Sequence, residues 1–284
     1  MTGGMDAATF GAVLAAALMH AGWNALAKRA LDPLLGVTLI VVLAGAIALP
    51  LLPVAGLPAA GSLPFVAASV ALHFGYNLVL VEAYRTGGLG LVYPIARGAA
   101  PAVVALAGAA LIGEVPSAGG ALGIGLIVAG VAAMSLRRPA DLLHADRRAV
   151  GFALATAGFI AAYTLVDGEG ARRSGNPHGY AVLLFVMDGI VTGGFLAARR
   201  AFPPRIAPRR LLPMLFGAAM QLAGYWIVIW AMARAPIALV AALRETSVLF
   251  AALLAVTLLR EALAPLRLLA ACVILAGALL IRLG

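Results

Sequence analysis

The chain has 284 residues, 64% of them hydrophobic and 11% charged, with a mean hydropathy of +1.06. A water-soluble domain runs nearer about 45–50% apolar and about 25% charged, so this composition excludes a soluble globular protein and indicates one solvated by lipid. The net charge of +9 does not indicate nucleic acid, because the arginines are scattered at the ends of apolar segments rather than gathered on one polar face.

Apolar stretches close to the roughly 20 residues needed to cross a bilayer recur along the whole chain. In chain order the predicted spans are 8–27, 33–53, 63–84, 89–112, 118–136, 148–167, 178–198, 211–232, 236–259 and 264–282. The expected fold class is an all-α integral membrane protein with ten transmembrane helices. The N-terminal stretch is expected to be a span and not a cleavable signal peptide. Its only charge is Asp6, and its apolar run is of full span length. The 33 glycines and 16 prolines suit membrane helices, which tolerate both. The single cysteine, Cys272, falls in the last span, so no internal disulfide is possible.

Polar side chains inside these spans are the candidates for function, because each is costly in hydrocarbon. In span 1, His20, Trp23, Asn24 and Lys28 recur at helical spacing on one face. That face offers an imidazole, an amide and a stacking ring, with Lys28 read as a charge that sets topology. Interhelical hydrogen bonding is the bland alternative for such residues. Span 3 carries His73, Tyr76 and Asn77, and span 8 carries Gln221 and Tyr225, in similar arrangements.

Span 4 reads LVYPIARGAAPAVVALAGAALIGE, Leu91 to Glu114, with Tyr93 near its start and Arg97 as its one cation. An arginine at a helix centre costs about 2.5–3.5 kcal/mol on insertion scales. The pattern returns 147 residues later as LVAALRETSVLFAALLAVTLLRE, Leu239 to Glu261, where Arg244 falls on Arg97 and Glu261 on Glu114. Both arginines lie too deep to snorkel to water. They are expected to bracket a central anion site, the alternative being a structural tie to Glu245 or to backbone carbonyls. Asp188, the only acid in span 7, and Glu245 are the candidate proton-coupling residues, since a buried carboxylate is poised to carry a proton. Glu114 and Glu261 are expected to cap the fifth helix of each half.

Lysine and arginine number 14 in the connections after spans 1, 3, 5, 7 and 9, against 4 on the opposite side with both termini included. The positive-inside rule places the first set in the cytoplasm and both termini outside.

The recurrence extends beyond the two arginine segments. GEVPSAGGALGIGLIVAGVAAMSLRR is answered by REALAPLRLLAACVILAGALLIRLG, and HAGWNALAKRA more loosely by AAYTLVDGEGARR, which sets Trp23 against Tyr163. Two repeats are read, 1–137 and 148–284. With five spans each, the second copy enters the membrane inverted, an architecture of transporters with a midplane site. Together with YPIARGAAP and the Gly-Glu and Arg-Glu pairs that open each fifth helix, these residues resemble the EamA-type family of the drug/metabolite transporter superfamily. The resemblance covers nearly the whole chain. It implies two five-helix repeats, spans 4 and 9 packed at a pseudo-two-fold axis, and termini in the cytoplasm, opposite to the charge count.

The expected function is a secondary transporter of a small organic metabolite in the cell (cytoplasmic) membrane, working by alternating access. Proton coupling is open to it through Asp188 or Glu245, the alternative being carboxyl groups held at helix contacts. Two buried arginines favour an anionic or zwitterionic solute such as an amino acid. The expected substrate-binding residues are His20, Trp23, Asn24, Tyr93, Arg97, Tyr163 and Arg244, with Asp188 and Glu245 coupling protons. No cofactor or metal is expected, because the sequence has no His/Cys/acid cluster at metal spacing and no nucleotide-binding glycine loop. The partners are the substrate and the bilayer, not nucleic acid. Two alternatives stand beside this reading: an intramembrane enzyme acting on a lipid-like or small polar substrate, if His20, His73, Asp188 and Glu245 converge, and an exporter of amphiphilic or cationic compounds.

Overall fold

Backbone N–H and C=O groups inside a bilayer must find partners within the chain, and this protein meets that demand with helices. The computed structural model describes residues 5–30, 33–135, 146–202, 207–259 and 265–284. It does not describe the side chains of 27–34, 84, 87–91, 93, 94, 135, 255, 258 and 259. Lys28, Tyr93 and Glu261 therefore lie outside the described side chains. Ten helices are labelled here: α1 (Ala7–Ala30), α2 (Pro33–Ala48), α3 (Leu63–Ile112), α4 (Ala118–Ser135), α5 (Arg147–Arg173), α6 (Pro177–Ala198), α7 (Pro208–Met232), α8 (Ile237–Arg244), α9 (Ser247–Leu259) and α10 (Pro265–Leu283). Short helical turns at Leu49–Leu51, Leu52–Ala55 and Ala60–Ser62 link α2 to α3. Among the described residues there is no strand. Among those residues nine helical segments are long and apolar enough to cross a membrane, and Ala118–Met134 is a shorter apolar one.

The helix ends follow from local chemistry. Asp6 caps α1, its Oδ1 accepting the N–H groups of Ala8 and Thr9 at 3.0 Å each. The hydrogen bonds from Thr9 hold this exposed carboxyl below the usual range. Asn176 caps α6 through the N–H of Gly179 at 3.1 Å. Its amide also donates to Ala55 O at 2.7 Å, which ties the second connection to the sixth.

Three elements differ from the sequence expectation. Spans 3 and 4 form one helical stretch, α3, of 50 residues. Run straight it would be about 75 Å long, yet both its ends meet the same end of α5. Ala59 N donates to Ser174 O at 2.9 Å, and Glu114 lies 2.8 Å from Arg172. The chain therefore reverses within α3, between its spans 60–83 and 95–112.

Helix α5 runs on to Arg173, six residues past the predicted end at 167. The Gly168-Glu169-Gly170 segment reads as a turn in sequence. In the fold, Ile237 packs on Gly168 and Tyr180 on Gly170. Glu169 pairs with Arg172 at 3.5 Å and Arg173 at 3.3 Å to hold the last turn.

The predicted span 236–259 is broken into α8 and α9. The N–H groups of Glu245 and Thr246 bond only three residues back, to Ala242 O at 3.0 Å and Leu243 O at 3.1 Å. The Thr246 hydroxyl takes the same Leu243 carbonyl at 2.7 Å, a side-chain bond that competes with the regular ladder. Interrupted helices are tolerated at membrane depth where the backbone is buried in protein or lines a cavity, and residues 237–248 are all buried.

Hydrogen bonds sort the chain's ends. Met5 N bonds Ile281 O, Ser117 Oγ bonds Gly284 O, and Arg172 reaches Met232 O and Ala235 O. With the Ala59–Ser174 contact, these gather both termini and the connections after spans 2, 4, 6 and 8 at one end of the bundle. Arg147, Arg148, Arg199, Arg200, Arg209 and Arg210 stand at the opposite ends of α5, α6 and α7, and so at the other end of the bundle. The leucines and phenylalanines exposed along the helices, such as Leu106, Leu212 and Phe216, form the lipid-facing surface. Helices α4 and α10 meet backbone to backbone. A Cβ on Gly123 would lie 2.7 Å from Gly277 O, and one on Gly277 equally close to Gly123 O, the small-residue contact that lets membrane helices approach.

Candidate functional site

Among the described residues the bundle holds a cavity of about 650 Å³, within the range of small-molecule sites. Helix periodicity builds its walls. From α1 come His20, Trp23 and Asn24. His20 meets the Trp23 ring edge-on at 5.3 Å, and Asn24 donates back to His20 O at 2.8 Å. The first span of α3 supplies His73, Tyr76 and Asn77, and its second span supplies Arg97. Tyr163 comes from α5, Asp188 from α6, Gln221 and Tyr225 from α7, and Arg244 from the last turn of α8. The described members of the expected binding set thus converge on one space, with Asp188 among them. Glu245 is not on the wall. Tyr93 belongs to α3, but its side chain is outside the described ones.

Aromatic rings form the centre of the wall. His73 stacks on Tyr163 at 4.1 Å, and Tyr225 meets both edge-on, His73 at 5.8 Å and Tyr163 at 6.4 Å. The Arg244 guanidinium stands over the Tyr225 ring at 5.8 Å. Arg97 and Arg244 are both electrostatic neighbours of His20.

The two arginines, equivalent in sequence, are not equivalent in their partners. Arg97 Nε lies 3.0 Å from Glu245 Oε2, an ion pair without the alignment of a hydrogen bond, and both groups are buried. Arg244 forms no ion pair among the described residues, and its buried Nε has no hydrogen-bond partner. Two further buried atoms on residues of the same wall, Asp188 Oδ1 and Gln221 Oε1, have no hydrogen-bond partner among the described residues.

The cavity reaches one end of the bundle. Its wall runs out past Asn77, Leu80 and Val81 to the exposed Arg85, and past Val37 and Thr38 at the start of α2. The opposite end, where the termini lie, carries a polar cluster. Arg172 bonds Glu114 Oε1 at 2.8 Å, and Glu114 Oε2 accepts the Ile237 N–H at 2.9 Å. Glu114 therefore caps α8 and not the helix that follows it in sequence.

Sequence reading passed over Asp167, which is fully buried and accepts hydrogen bonds from Tyr180 at 3.0 Å and Tyr225 at 2.6 Å. It stands four residues after Tyr163, on the same helical face. That spacing was the available signal, but the predicted span stopped at 167 and so hid its depth. Among the described residues no three His, Cys, Asp or Glu side chains are placed to hold a metal ion.

Residues 148–283 match the sequence profile of the EamA-like transporter family. Those residues, just under half of the chain, are similar to that family, which is part of the drug/metabolite transporter superfamily. A solved crystal structure superposes with a TM-score of 0.75, covering 97% of this chain and 96% of the other at 18% identity. At that identity the likeness establishes the fold alone, and it does so along the whole chain. No curated protein matches the sequence. The EamA-like match over residues 148–283 and the apolar helices together support a multi-pass membrane protein of the drug/metabolite transporter type.

Proposed function

We propose that this EamA-like protein carries a small zwitterionic solute, an amino acid or a compound of similar charge pattern, across the cytoplasmic membrane by alternating access. The observation that carries the reading is the unpaired polarity of the cavity. Arg244, Asp188 and Gln221 each hold a buried polar atom with no hydrogen-bond partner among the described residues, and leaving such atoms unmatched is costly. A ligand carboxylate on Arg244 and an ammonium group on Asp188 satisfy two of them at once. The arginine fork grips two oxygens where a lysine would present a point charge. The His20, Trp23, Asn24 and Tyr163 side chains then enclose the rest of the solute. Arg97 is assigned to support: paired with Glu245, it fixes the α8–α9 break that presents Arg244.

Alternating access rests on the one-sided shape of the cavity and on the contacts between helices. Spans 1 and 8 pack together as spans 3 and 6 do, span 2 meets span 7, and span 5 meets span 10. That is the pairing expected when repeats 1–137 and 148–284 are related by a two-fold axis in the membrane plane. The cavity reaches the arginine-rich end, which the charge bias assigns to the cytoplasm, so the conformer is read as inward-facing. The Glu114–Arg172 pair closes the far end.

The test is a thermal-shift screen of the purified protein against a library of amino acids, organic acids and amines, since a ligand that binds the folded state stabilises it by mass action. Stabilisation by zwitterions, lost on blocking either the carboxylate or the amine, supports the proposal. Stabilisation by amines alone points instead to cationic cargo held at Asp188.

A further inference from the structure

Behind the cavity wall stands a carboxylate that the binding scheme does not use. Asp167 is fully buried. Its Oδ1 accepts from the Tyr180 hydroxyl at 3.0 Å and its Oδ2 from the Tyr225 hydroxyl at 2.6 Å. Among the described residues it forms no ion pair. The groups facing it from neighbouring helices are Ser69 and His73 of α3, Tyr180 and Asp188 of α6, and Tyr225 of α7. Against α8 its surroundings are apolar, with Ile237 seated on Gly168, and Arg244 lies beyond, over the Tyr225 ring.

Burying a charge without a counter-charge is expensive, and two phenol hydroxyls offset only part of that cost. Protonation removes the charge and reverses one hydrogen bond. An ionised carboxylate only accepts, whereas a carboxylic acid has an O–H to donate. Tyr180 has no exposed surface. Of the two phenols, only Tyr225 belongs to a residue that lines the cavity.

We propose, resting on the transporter reading, that Asp167 and not the cavity-wall Asp188 carries the coupled proton, and that Tyr225 links its charge to the substrate. The Asp167 carboxylate takes up one proton and forms one O–H bond; no other covalent bond changes. Tyr225 then accepts from the acid and turns its own hydrogen to the cavity, where it becomes a second donor for an anion on Arg244. Proton and substrate thus bind with positive coupling, which is reciprocal by linkage. Substrate affinity falls as pH rises through the titration of Asp167. The proton reaches Asp167 through Tyr225 or through Ser69, whose hydroxyl lies 3.1 Å from His73 Nδ1 on the wall.

Two measurements test this. The first needs no ligand: an infrared pH titration of the purified protein, reading the carbonyl stretch of protonated carboxyl groups. The expected result is a component present in wild type and in Asp188→Asn but absent from Asp167→Asn. Asp167→Glu displaces the band while keeping the carboxyl, which guards against a misfolded Asn variant. Tyr225→Phe moves its midpoint by about one pH unit or more, a tenfold change in proton affinity. A spectrum unchanged by Asp167→Asn, or a midpoint unmoved by Tyr225→Phe, overturns the proposal.

The second uses proteoliposomes and a radiolabelled mixture of amino acids. Wild type is expected to exchange the label at equal pH and to accumulate it under an inward proton gradient. Asp167→Asn keeps exchange and loses accumulation. Accumulation at the wild-type level in Asp167→Asn refutes the coupling role. Absence of exchange in wild type counts against the amino-acid reading instead, and the infrared result then decides whether Asp167 is a proton site.

Discussion

The Arg97–Glu245 pair yields the sharpest prediction about how the bundle is held. Both charges are largely buried, at 7% and 1% exposure, and their nearest atoms are 3.0 Å apart. Removing one partner of a buried pair leaves an uncompensated charge and costs about 3–5 kcal/mol. Arg97→Gln strands the Glu245 carboxylate, and Glu245→Gln strands the Arg97 guanidinium. At about 2–4 °C per kcal/mol for a chain of roughly this size, each single variant should melt on the order of 10 °C below wild type. The double variant Arg97→Gln/Glu245→Gln leaves two neutral amides that can bond each other, so it should recover at least half of that loss. The assay is apparent melting temperature in detergent, by intrinsic fluorescence, for all four members of the cycle. Single variants that melt within about 2 °C of wild type, or a double variant no better than the worse single, would refute the structural role given to the pair.

The unpaired arginine behaves differently. Arg244→Gln should keep a near-normal melting temperature and weaken substrate binding about 10- to 100-fold, the value of one or two charge-assisted hydrogen bonds, with Arg244→Lys intermediate; isothermal titration with the best ligand from the screen checks this. Membrane orientation is tested by C-terminal fusions: the charge bias predicts an active periplasmic phosphatase and a dark cytoplasmic fluorescent reporter, and the reverse pattern restores the orientation implied by the family resemblance. Gly123→Val forces α4 and α10 apart where a Cβ has no room, and overpacking of about 1–3 kcal/mol should lower the melting temperature by several degrees, whereas the lipid-facing Leu106→Val should not.

The membrane class and most of the cavity wall were legible in the sequence, because hydrophobic length and helical periodicity are local properties. Against the ten spans expected, nine helical segments among the described residues are long and apolar enough to cross a membrane. His20, Trp23 and Asn24 share a face at any helix register, and the deep placement of Arg97 and Arg244 followed from span boundaries alone. What could not be read was set by contacts between distant segments. The recurrence in sequence makes Arg97 and Arg244 look alike, and only the approach of α8 to the second span of α3 gives Arg97 its ion pair with Glu245, while Arg244 has none among the described residues. Gly168 and Gly170 resemble a turn until Ile237 and Tyr180 pack onto them, and the misplaced boundary concealed Asp167. Glu114 carries the helix-capping chemistry expected of it, but at the start of α8, 123 residues away, a pairing that sequence proximity cannot disclose.

The central claim is that a zwitterion sits between Arg244 and Asp188 and is carried across the membrane. Counterflow in proteoliposomes tests it most directly: vesicles loaded with an unlabelled amino acid from the screen are diluted into a trace of the labelled compound, with no ion gradient. The account predicts transient accumulation of label by wild type that vanishes in both Arg244→Gln and Asp188→Asn, while each variant remains monodisperse. Counterflow at the wild-type rate in both variants would contradict it.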